Sequence, residues 1–235
     1  MLRVVDSAVS VACWSCSVAL NDATLFCPHC GKIQPPPGGD FFQVFGLERS
    51  FQIDLAQLEG EFYRLSRKLH PDRFARAAEN EKEWSLADTA LLNDAYRTLK
   101  DPIHRTEYLL KLEGAEIGEE HSGRENKNSG RKDPSRVPAD LLEEVFELNM
   151  QLEEMRMNRK MGEEDASLQS DLEAAKQKFT GLLEEVDREL RAEWKTWDAG
   201  GESARQVSQE KMVALLDRRR YLRNLVRNVN EVLGA

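Results

Sequence analysis

Four cysteines stand in the first 30 residues, and the rest of the 235-residue chain contains no other. They form two Cys-x-x-Cys pairs separated by ten residues: Cys13, Cys16, Cys27 and Cys30. Such paired motifs are typical of metal knuckles, in which four thiolates surround a zinc ion as a tetrahedron. The segment has too few apolar residues for a core, so metal binding would supply its folding free energy. The sequence therefore predicts a small zinc module.

Three other interpretations of these cysteines stay open. Iron also accepts four thiolates, and no sequence pattern separates it from zinc. The run CPHC at 27–30 matches a thioredoxin-type redox motif, but that motif needs a strand–helix–strand unit, and here three prolines follow within seven residues. The third alternative is four unliganded thiols. Cysteines confined to one short segment do not form the framework of a secreted disulfide protein, which favours a reducing compartment.

A second set of chemically suggestive residues, His70, Pro71 and Asp72, lies in the run KLHPDR. A histidine and an aspartate so close could be an acid/base pair or a metal-ligand pair. No local pattern adds a nucleophile, a glycine-rich phosphate loop or a second carboxylate, so the run is a poor active site. Pro71 must end a helix by about His70, because the residue before a proline avoids the α conformation. A helix end whose backbone donors Asp72 satisfies is the alternative to a functional loop.

The elements that position this loop are predicted to be helices. Apolar residues before it recur at intervals of three and four, on one stripe of a helix: Leu55, Leu58, Phe62, Leu65 and Leu69. Asp54 is placed to cap that helix. Its opposite side carries the basic face, which consists of Arg64, Arg67 and Lys68. A second helix is predicted from about Lys82 to Lys100, and a short one from Arg105 to Leu112.

Composition divides the chain into five segments and predicts an all-α protein. The cysteine segment, residues 1–34, is followed by a Pro/Gly linker at 35–39 and a helical domain at 40–112. Residues 113–137 are polar and rich in helix breakers, so we expect a flexible linker. Residues 138–235 contain three amphipathic patterns with short breaks, which predict a three-helix bundle. Their predicted helices are Ala139–Lys160, Glu164–Trp197 and Glu202–Leu233.

Charge and hydropathy exclude several functions. A formal net charge of −9 argues against binding nucleic acid along a phosphate backbone. No apolar run approaches the roughly 20 residues that span a bilayer, so no membrane partner is expected. The first residues are too weakly apolar for a signal peptide, and a single Arg3 beside Asp6 is thin evidence for a mitochondrial presequence.

The stretch of residues 40–110 resembles the J-domain of DnaJ-type co-chaperones. The resemblance lies in DFFQVFGL, in His-Pro-Asp after a basic helix, and in LLNDAYRTLKDP. It implies a binding function and no catalytic site in this chain, since J-domains dock on DnaK-type chaperones and stimulate their ATP hydrolysis. The residues implied to contact the chaperone are His70, Pro71 and Asp72 together with the basic face.

The runs DPIHRTEYLLKLEG and PADLLEEVFELNMQLEEM are similar to the HscB family of iron–sulfur co-chaperones, whose animal members also carry N-terminal cysteine pairs. The resemblance implies that the bundle binds an IscU-type scaffold, which holds a nascent cluster. The implied scaffold-binding residues are Leu142, Glu143, Phe146, Glu147, Met150 and Tyr221. The chain departs from the family at Glu143, where methionine is expected, and at Met150, where an acid is expected. At least half of such an apolar stripe could instead be bundle core.

The expected partners are therefore a mitochondrial DnaK-type chaperone, an IscU-type scaffold and, as further partners, cluster acceptor proteins and a second copy of the chain. The expected compartment is the mitochondrial matrix, with the cytoplasm as a second location. Two rival functions remain: a general protein-folding J-protein with another client, and a zinc-dependent thiol oxidoreductase with a helical scaffold.

Overall fold

The computed structural model describes residues 11–20, 24–117 and 138–234. The chain divides into two compact units, Met1–Glu113 and Gly114–Ala235. Most of the linker predicted at 113–137 lies outside the described residues, as do residues 1–10. The described residues form seven α-helices and two short strands, in agreement with the predicted helical fold. Among the described helices, none is long and apolar enough to cross a membrane.

The first unit begins with the cysteine segment. Strand β1 (Val11–Ala12) pairs antiparallel with β2 (Ala19–Leu20), and an isolated bridge joins Phe26 to Ile33. The small core of this segment consists largely of the cysteines themselves: Cys13, Leu20 and Cys27, with Cys16 and Val18 packed against them. So little apolar surface cannot hold the segment together without a further stabilising contact.

The helical part of the first unit contains α1 (Phe41–Val44), α2 (Leu55–Leu69), α3 (Glu79–Lys100) and α4 (Pro102–Leu112). A single 3₁₀ turn, Pro71–Phe74, joins α2 to α3. Helix α3 starts three residues before the predicted Lys82, and α4 starts at Pro102 instead of Arg105. Pro102 suits a first helical position, because its missing N–H has no helical partner there.

Helices α2 and α3 form a hairpin around an apolar core. Asp54 caps α2 as predicted, since its Oδ1 accepts hydrogen bonds from the N–H groups of Ala56 (2.9 Å) and Gln57 (3.1 Å). Of the predicted stripe, Leu58, Leu65 and Leu69 are buried and Phe62 is half-buried. Leu55 is 49% exposed, because it is the first residue of the helix and lies beyond the edge of the core.

Helix α4 closes this core from the other side. Arg105 is buried, and its Nε donates to the carbonyl of Phe51 at 2.9 Å. Tyr108 stacks on Phe41, with ring centroids 4.4 Å apart, and its hydroxyl accepts from the Phe41 N–H at 2.9 Å. The Tyr108 contacts hold the first residue of α1 against α4, and the Arg105 hydrogen bond holds the segment before α2.

The second unit is the predicted helical bundle. It contains α5 (Leu142–Met161), preceded by a 3₁₀ turn at Ala139–Leu141, then α6 (Ala166–Ala199) and α7 (Glu202–Leu233). Gly162 ends α5 with φ 72°, in the left-handed region that glycine tolerates. The buried side chains of α5 face α6 and α7: Val145, Leu148, Leu152 and Met155.

Helices α6 and α7 form a hairpin much longer than α5. At 1.5 Å per residue, the 34 residues of α6 span about 50 Å, whereas the 20 residues of α5 span about 30 Å. An ion pair between Glu144 and Lys178 (3.2 Å) places the start of α5 beside the middle of α6. The remainder of the hairpin packs as two helices, with Trp194 and Trp197 buried near its tip.

Candidate functional site

The four cysteine sulfurs converge in one cluster. All four ligand atoms lie within 4.8 Å of one another, with Cys13 Sγ 3.7 Å from Cys30 Sγ and Cys16 Sγ 3.6 Å from Cys27 Sγ. A tetrahedron with Zn–S bonds of about 2.3 Å has sulfurs about 3.8 Å apart, close to both short distances. Each short contact joins the two knuckles, so a central ion would tie them together.

The two knuckles have the same backbone geometry. In the first, the Cys13 N–H donates to the carbonyl of Val18 and the Ser17 N–H to that of Cys13, both at 2.8 Å. In the second, Cys27 N–H donates to Lys32 and Gly31 N–H to Cys27, both at 2.9 Å. Ser17 and Gly31 follow their cysteine pairs and both adopt positive φ, 60° and 72°. Repeated turns of this kind point backbone N–H groups at the sulfurs.

The environment of the thiols favours metal binding. Burial raises the pKa of Cys13, but the N–H groups of its knuckle and the neighbouring thiols outweigh this effect and lower the pKa to about 6. The Cys30 N–H lowers the pKa of Cys27. The Val18 N–H lowers the pKa of Cys16, but burial and the other thiols raise it to about 12. The thiolate is the form that binds metals, so the lowered pKa values of Cys13 and Cys27 suit a metal site.

The His-Pro-Asp loop is presented to solvent. His70 leaves the helical conformation at φ −52° and ψ 127°, as the residue before Pro71 must. The Asp72 N–H donates to Nδ1 of His70 at 3.3 Å, and an Asp72 carboxylate oxygen lies 3.5 Å from that same nitrogen. The Asp72 side chain is 90% exposed. The loop therefore projects from the end of α2 with the side chains of His70 and Asp72 largely exposed to solvent.

Helix α3 holds this loop through a hydroxyl group that the sequence analysis did not single out. Ser85 Oγ donates to the carbonyl of Leu69 at 2.6 Å. Thr89 Oγ1 lies 3.5 Å from the same oxygen and donates to the Ser85 carbonyl at 2.7 Å. That carbonyl belongs to the last residue of α2, immediately before His70. The only sequence signal was a serine and a threonine four residues apart on a helix, which is common on solvated faces.

The basic face lies on the exposed side of α2. Arg64 forms an ion pair with Glu61, whose pKa is lowered by that hydrogen bond. Arg67 is exposed to solvent. Lys68 lies over the ring of Phe26, with its Nζ 5.8 Å from the ring centroid. Part of the predicted positive charge is therefore paired within the protein, and one cation is held by the cysteine segment.

The predicted scaffold surface lies on the solvent side of α5. Leu142, Phe146 and Met150 are 51%, 69% and 61% exposed, which is unusual for apolar side chains of this size. They recur every four residues, opposite the buried face of the helix. Glu143 and Glu147 are also exposed and flank this apolar stripe. The alternative, in which part of this stripe is bundle core, is wrong for these three residues, because all three are exposed.

Tyr221 lies on α7 and is half-buried, and burial raises the pKa of its hydroxyl. One turn earlier on α7, Arg218 donates to both carboxylate oxygens of Asp140, at 3.0 and 2.7 Å. Asp140 stands two residues before Leu142. This paired contact brings the Tyr221 region of α7 close to the first turn of α5, where the apolar stripe begins.

Comparison with known proteins finds similar co-chaperones. No family model matches the chain. The mouse iron–sulfur cluster co-chaperone protein HscB is 33% identical over 223 residues, which cover 93% of this chain and 81% of the mouse protein. The human protein of the same name is 33% identical over 172 residues, covering 72% of this chain and 66% of its own length.

Two solved structures share the fold. The crystal structure of human co-chaperone HscB matches with a TM-score of 0.62 and 27% identity, over 94% of this chain and 98% of the human one. Chaperone HscB from Vibrio cholerae matches with a TM-score of 0.52 and 26% identity, over 83% and 98% of the two chains. The chain therefore belongs to the HscB family of iron–sulfur cluster co-chaperones.

Proposed function

We propose that the J-domain docks on a DnaK-type chaperone and stimulates its ATP hydrolysis, while the bundle binds an IscU-type scaffold. The observation that carries the first half is the exposed His70–Pro71–Asp72 loop, fastened to α3 through the Leu69 carbonyl. A loop that projects from a rigid support suits recognition by another protein, because little conformational entropy is lost on binding. In this proposal the ATP chemistry takes place in the chaperone, and the chain acts by binding.

The basic face supplies the electrostatic part of the contact. Arg67 and Lys68 lie on the last turn of α2, directly before the loop. Complementary charge raises the rate of encounter and fixes the orientation of the partners, whereas its contribution to affinity is modest. An acidic chaperone surface would meet this local positive charge despite the net negative charge of the chain.

The scaffold contact is proposed to centre on Phe146. Large exposed apolar side chains in a row on one helix are typical of an interface rather than of a solvated surface. Leu142 and Met150 extend the apolar stripe by one turn on each side, and the flanking acids Glu143 and Glu147 would form a polar rim. Tyr221 would close the edge of the surface from α7.

Binding both partners would place the scaffold beside the chaperone. A tether of this kind raises the effective concentration of each partner for the other, even when each single contact is weak. ATP hydrolysis would tighten the grip of the chaperone on the scaffold and promote release of the iron–sulfur cluster, which is cargo here, to acceptor proteins. We also propose the mitochondrial matrix as the main location, with the cytoplasm second.

The tetracysteine cluster is proposed to bind zinc through Cys13, Cys16, Cys27 and Cys30. Its donor set and sulfur spacing suit a structural ion. Bound zinc would supply the folding free energy that the small core of this segment lacks. The two Cys-x-x-Cys pairs lie on separate knuckles around a shared centre, an arrangement that favours metal binding over the thiol oxidoreductase alternative.

A steady-state ATPase assay with a purified mitochondrial DnaK-type chaperone tests the first half of this proposal. The wild-type chain is compared with His70→Gln, whose side chain is exposed and whose fold should be intact. We expect near-complete loss of stimulation. Equal stimulation by the two proteins would exclude the loop as the chaperone contact.

Pull-down with an iron–sulfur scaffold tests the second half and separates this function from general protein folding. The wild-type chain should capture the scaffold and Phe146→Ala should not. A Cys27→Ser, Cys30→Ser variant distinguishes the oxidoreductase, whose thiol activity would be lost, from a co-chaperone that still stimulates ATP hydrolysis. Absence of scaffold binding by the wild-type chain would leave the general J-protein as the better account.

A further inference from the structure

The cysteine segment packs against the same side of the J-domain that carries the basic face. Phe26 contacts Lys68 of α2, and Lys32 forms an ion pair of 2.9 Å with Glu81 of α3. On the first knuckle, the ring of Trp14 meets the ring of Trp84 edge-on, with centroids 5.6 Å apart. Both knuckles therefore contact the J-domain directly.

The position of Phe26 and Lys32 depends on the second knuckle. Phe26 immediately precedes Cys27 and is bridged to Ile33, while the carbonyl of Lys32 accepts from the Cys27 N–H at 2.9 Å. Lys32 also lies 5.9 Å from the Trp14 ring centroid of the first knuckle. Since the four sulfurs converge between the knuckles, an ion bound by the sulfurs would also fix these two side chains.

Glu81 is a rigid anchor for this contact. Its side chain is only 8% exposed, with Oε1 accepting from Lys32 and Oε2 lying 3.4 Å from the N–H of Ala78. The Lys32 side chain, in contrast, is 48% exposed. One end of the ion pair is thus buried in the J-domain, and the other is accessible to a partner.

A cleft of about 740 Å³ separates the second knuckle from α2 and the loop after it. It is lined by four cations and two carboxylates: Lys32, Arg64, Lys68, Arg73, Glu61 and Glu81. Glu61 pairs with Arg64 and Glu81 pairs with Lys32, so the cleft keeps an excess of positive charge. It begins on the basic face and ends at Arg73, the residue after the His-Pro-Asp loop.

We infer that the metal-bound cysteine segment is part of the chaperone-binding surface. Phe26 and Lys32 extend the basic face of α2 across the cleft, which receives an acidic segment of the DnaK-type chaperone. Metal occupancy then sets the affinity for the chaperone, because it positions Lys32 and holds Phe26 on Lys68. This inference rests on the proposed chaperone-binding function and adds the cysteine segment to it.

The test measures the concentration of full-length chain that gives half-maximal ATPase stimulation, with the metal content of each protein determined in parallel. Lys32→Ala should retain one metal ion per chain and raise this concentration roughly fivefold, in line with the loss of one interfacial charge. Maximal stimulation should not change, because the His-Pro-Asp loop is intact. Lys32→Arg keeps the charge and should resemble the wild type.

Lys111→Ala is the matched control. Lys111 is an exposed lysine on α4 of the same domain and does not line the cleft. Its removal should leave the half-maximal concentration within about twofold of the wild type. Chelation of the metal should weaken the wild type at least as much as Lys32→Ala does, because it releases Phe26 as well as Lys32. Chelated Lys32→Ala should match the chelated wild type, because the Lys32 contact is then already lost.

Two results would overturn the inference. Metal-loaded Lys32→Ala could match the wild type, in which case the cysteine segment makes no contact with the chaperone. Its half-maximal concentration could also fall, which would mean that the segment shields the basic face. His70→Gln in the same assay distinguishes a failure of the inference from a failure of the proposed function. Full stimulation by His70→Gln would contradict the proposed function itself. Loss of stimulation in His70→Gln together with unchanged stimulation by Lys32→Ala would contradict only this inference.

Discussion

The proposed chaperone surface and the proposed scaffold surface are built in opposite ways. The proposed chaperone surface is charged and composite, because helix α2, the loop fastened by Ser85 and the cysteine segment would all contribute to it. The scaffold surface is apolar and simple, with Leu142, Phe146 and Met150 on one helix backed by the bundle. Affinity for the chaperone should depend on salt, metal and pH, whereas affinity for the scaffold should depend mainly on the apolar area that is buried.

The largest expected effect comes from destroying the metal site. Cys27→Ser should reduce metal content from one ion per chain to near zero, because one of four thiolates is lost. Structural zinc contributes on the order of 10 kcal/mol to the folding of such modules, so the segment should unfold. Metal analysis and limited proteolysis at residues 11–34 measure the loss.

The scaffold surface provides the control for that change. Scaffold affinity of Cys27→Ser should equal that of the wild type, because the bundle is a separate compact unit. A parallel loss of scaffold binding would show that the two surfaces are not independent.

Phe146→Ala should produce the next largest effect, confined to the scaffold. Truncation of a central aromatic residue in an interface costs about 2 kcal/mol or more, equivalent to roughly thirtyfold in affinity. Phe146 is mostly exposed, so bundle stability should hardly change. Isothermal titration with the scaffold measures the affinity. Met161→Ala, another exposed apolar change on α5, lies at the far end of the helix and should bind nearly as well as the wild type.

Asp88 should make the stability of the J-domain depend on pH. Both of its carboxylate oxygens are buried without a hydrogen-bond partner among the described residues, and burial raises its pKa to about 7. Between about pH 4 and 7 the native state retains the proton that the unfolded state loses, so stability falls as pH rises through this window. Well above pH 7 the carboxylate is ionised in both states, and the free energy of unfolding stays lowered by the full cost of burying its charge.

Asp88→Asn should therefore stabilise the J-domain at pH 8 by on the order of 2 kcal/mol, with much less gain near pH 4. Thermal unfolding at the two pH values measures the difference, and the transition of the bundle serves as an internal reference. An equal gain at both pH values would show that the effect is not linked to ionisation of this carboxyl group.

The smallest expected effect concerns the support of the loop. Ser85→Ala removes the 2.6 Å hydrogen bond to the Leu69 carbonyl, while Thr89 remains nearby. We expect a loss of about 1 kcal/mol in stability and a reduction of chaperone stimulation of no more than roughly fivefold. Unfolding in urea and the ATPase assay measure these quantities. Ser50→Ala removes a hydrogen bond from a half-buried hydroxyl to the Gln52 carbonyl (2.8 Å) before α2, away from the loop, and should leave stimulation unchanged.

Local sequence signals predicted much of this architecture. Asp54 before a 3.6-residue apolar pattern and Pro71 after it gave both ends of α2, because caps and prolines act on adjacent backbone. The two Cys-x-x-Cys pairs indicated the cysteine cluster for a similar reason, since the ligand spacing is set within each knuckle. The apolar stripe of α5 was expected from the family resemblance, because the helix period alone also allowed Leu142, Phe146 and Met150 to be bundle core.

Contacts between distant segments could not be predicted in the same way. The Phe26–Lys68 and Lys32–Glu81 pairs join residues more than 40 positions apart, and nothing in the local pattern of either partner indicates the other. The Ser85 hydrogen bond to Leu69 has the same character. The Arg64–Glu61 pair is different, because it is local: opposite charges three residues apart on a helix are neighbours, and the pair reduces the positive charge that the basic face presents.

The most direct test of the tethering account is the steady-state ATPase rate of the DnaK-type chaperone, with and without scaffold, for the wild type, His70→Gln and Phe146→Ala. The account predicts that His70→Gln loses stimulation in both conditions. Phe146→Ala should keep the stimulation seen without scaffold and lose the additional, scaffold-dependent part. Loss of the scaffold-independent stimulation in Phe146→Ala, or its survival in His70→Gln, would contradict the claim that the loop stimulates the chaperone while the α5 stripe binds the scaffold.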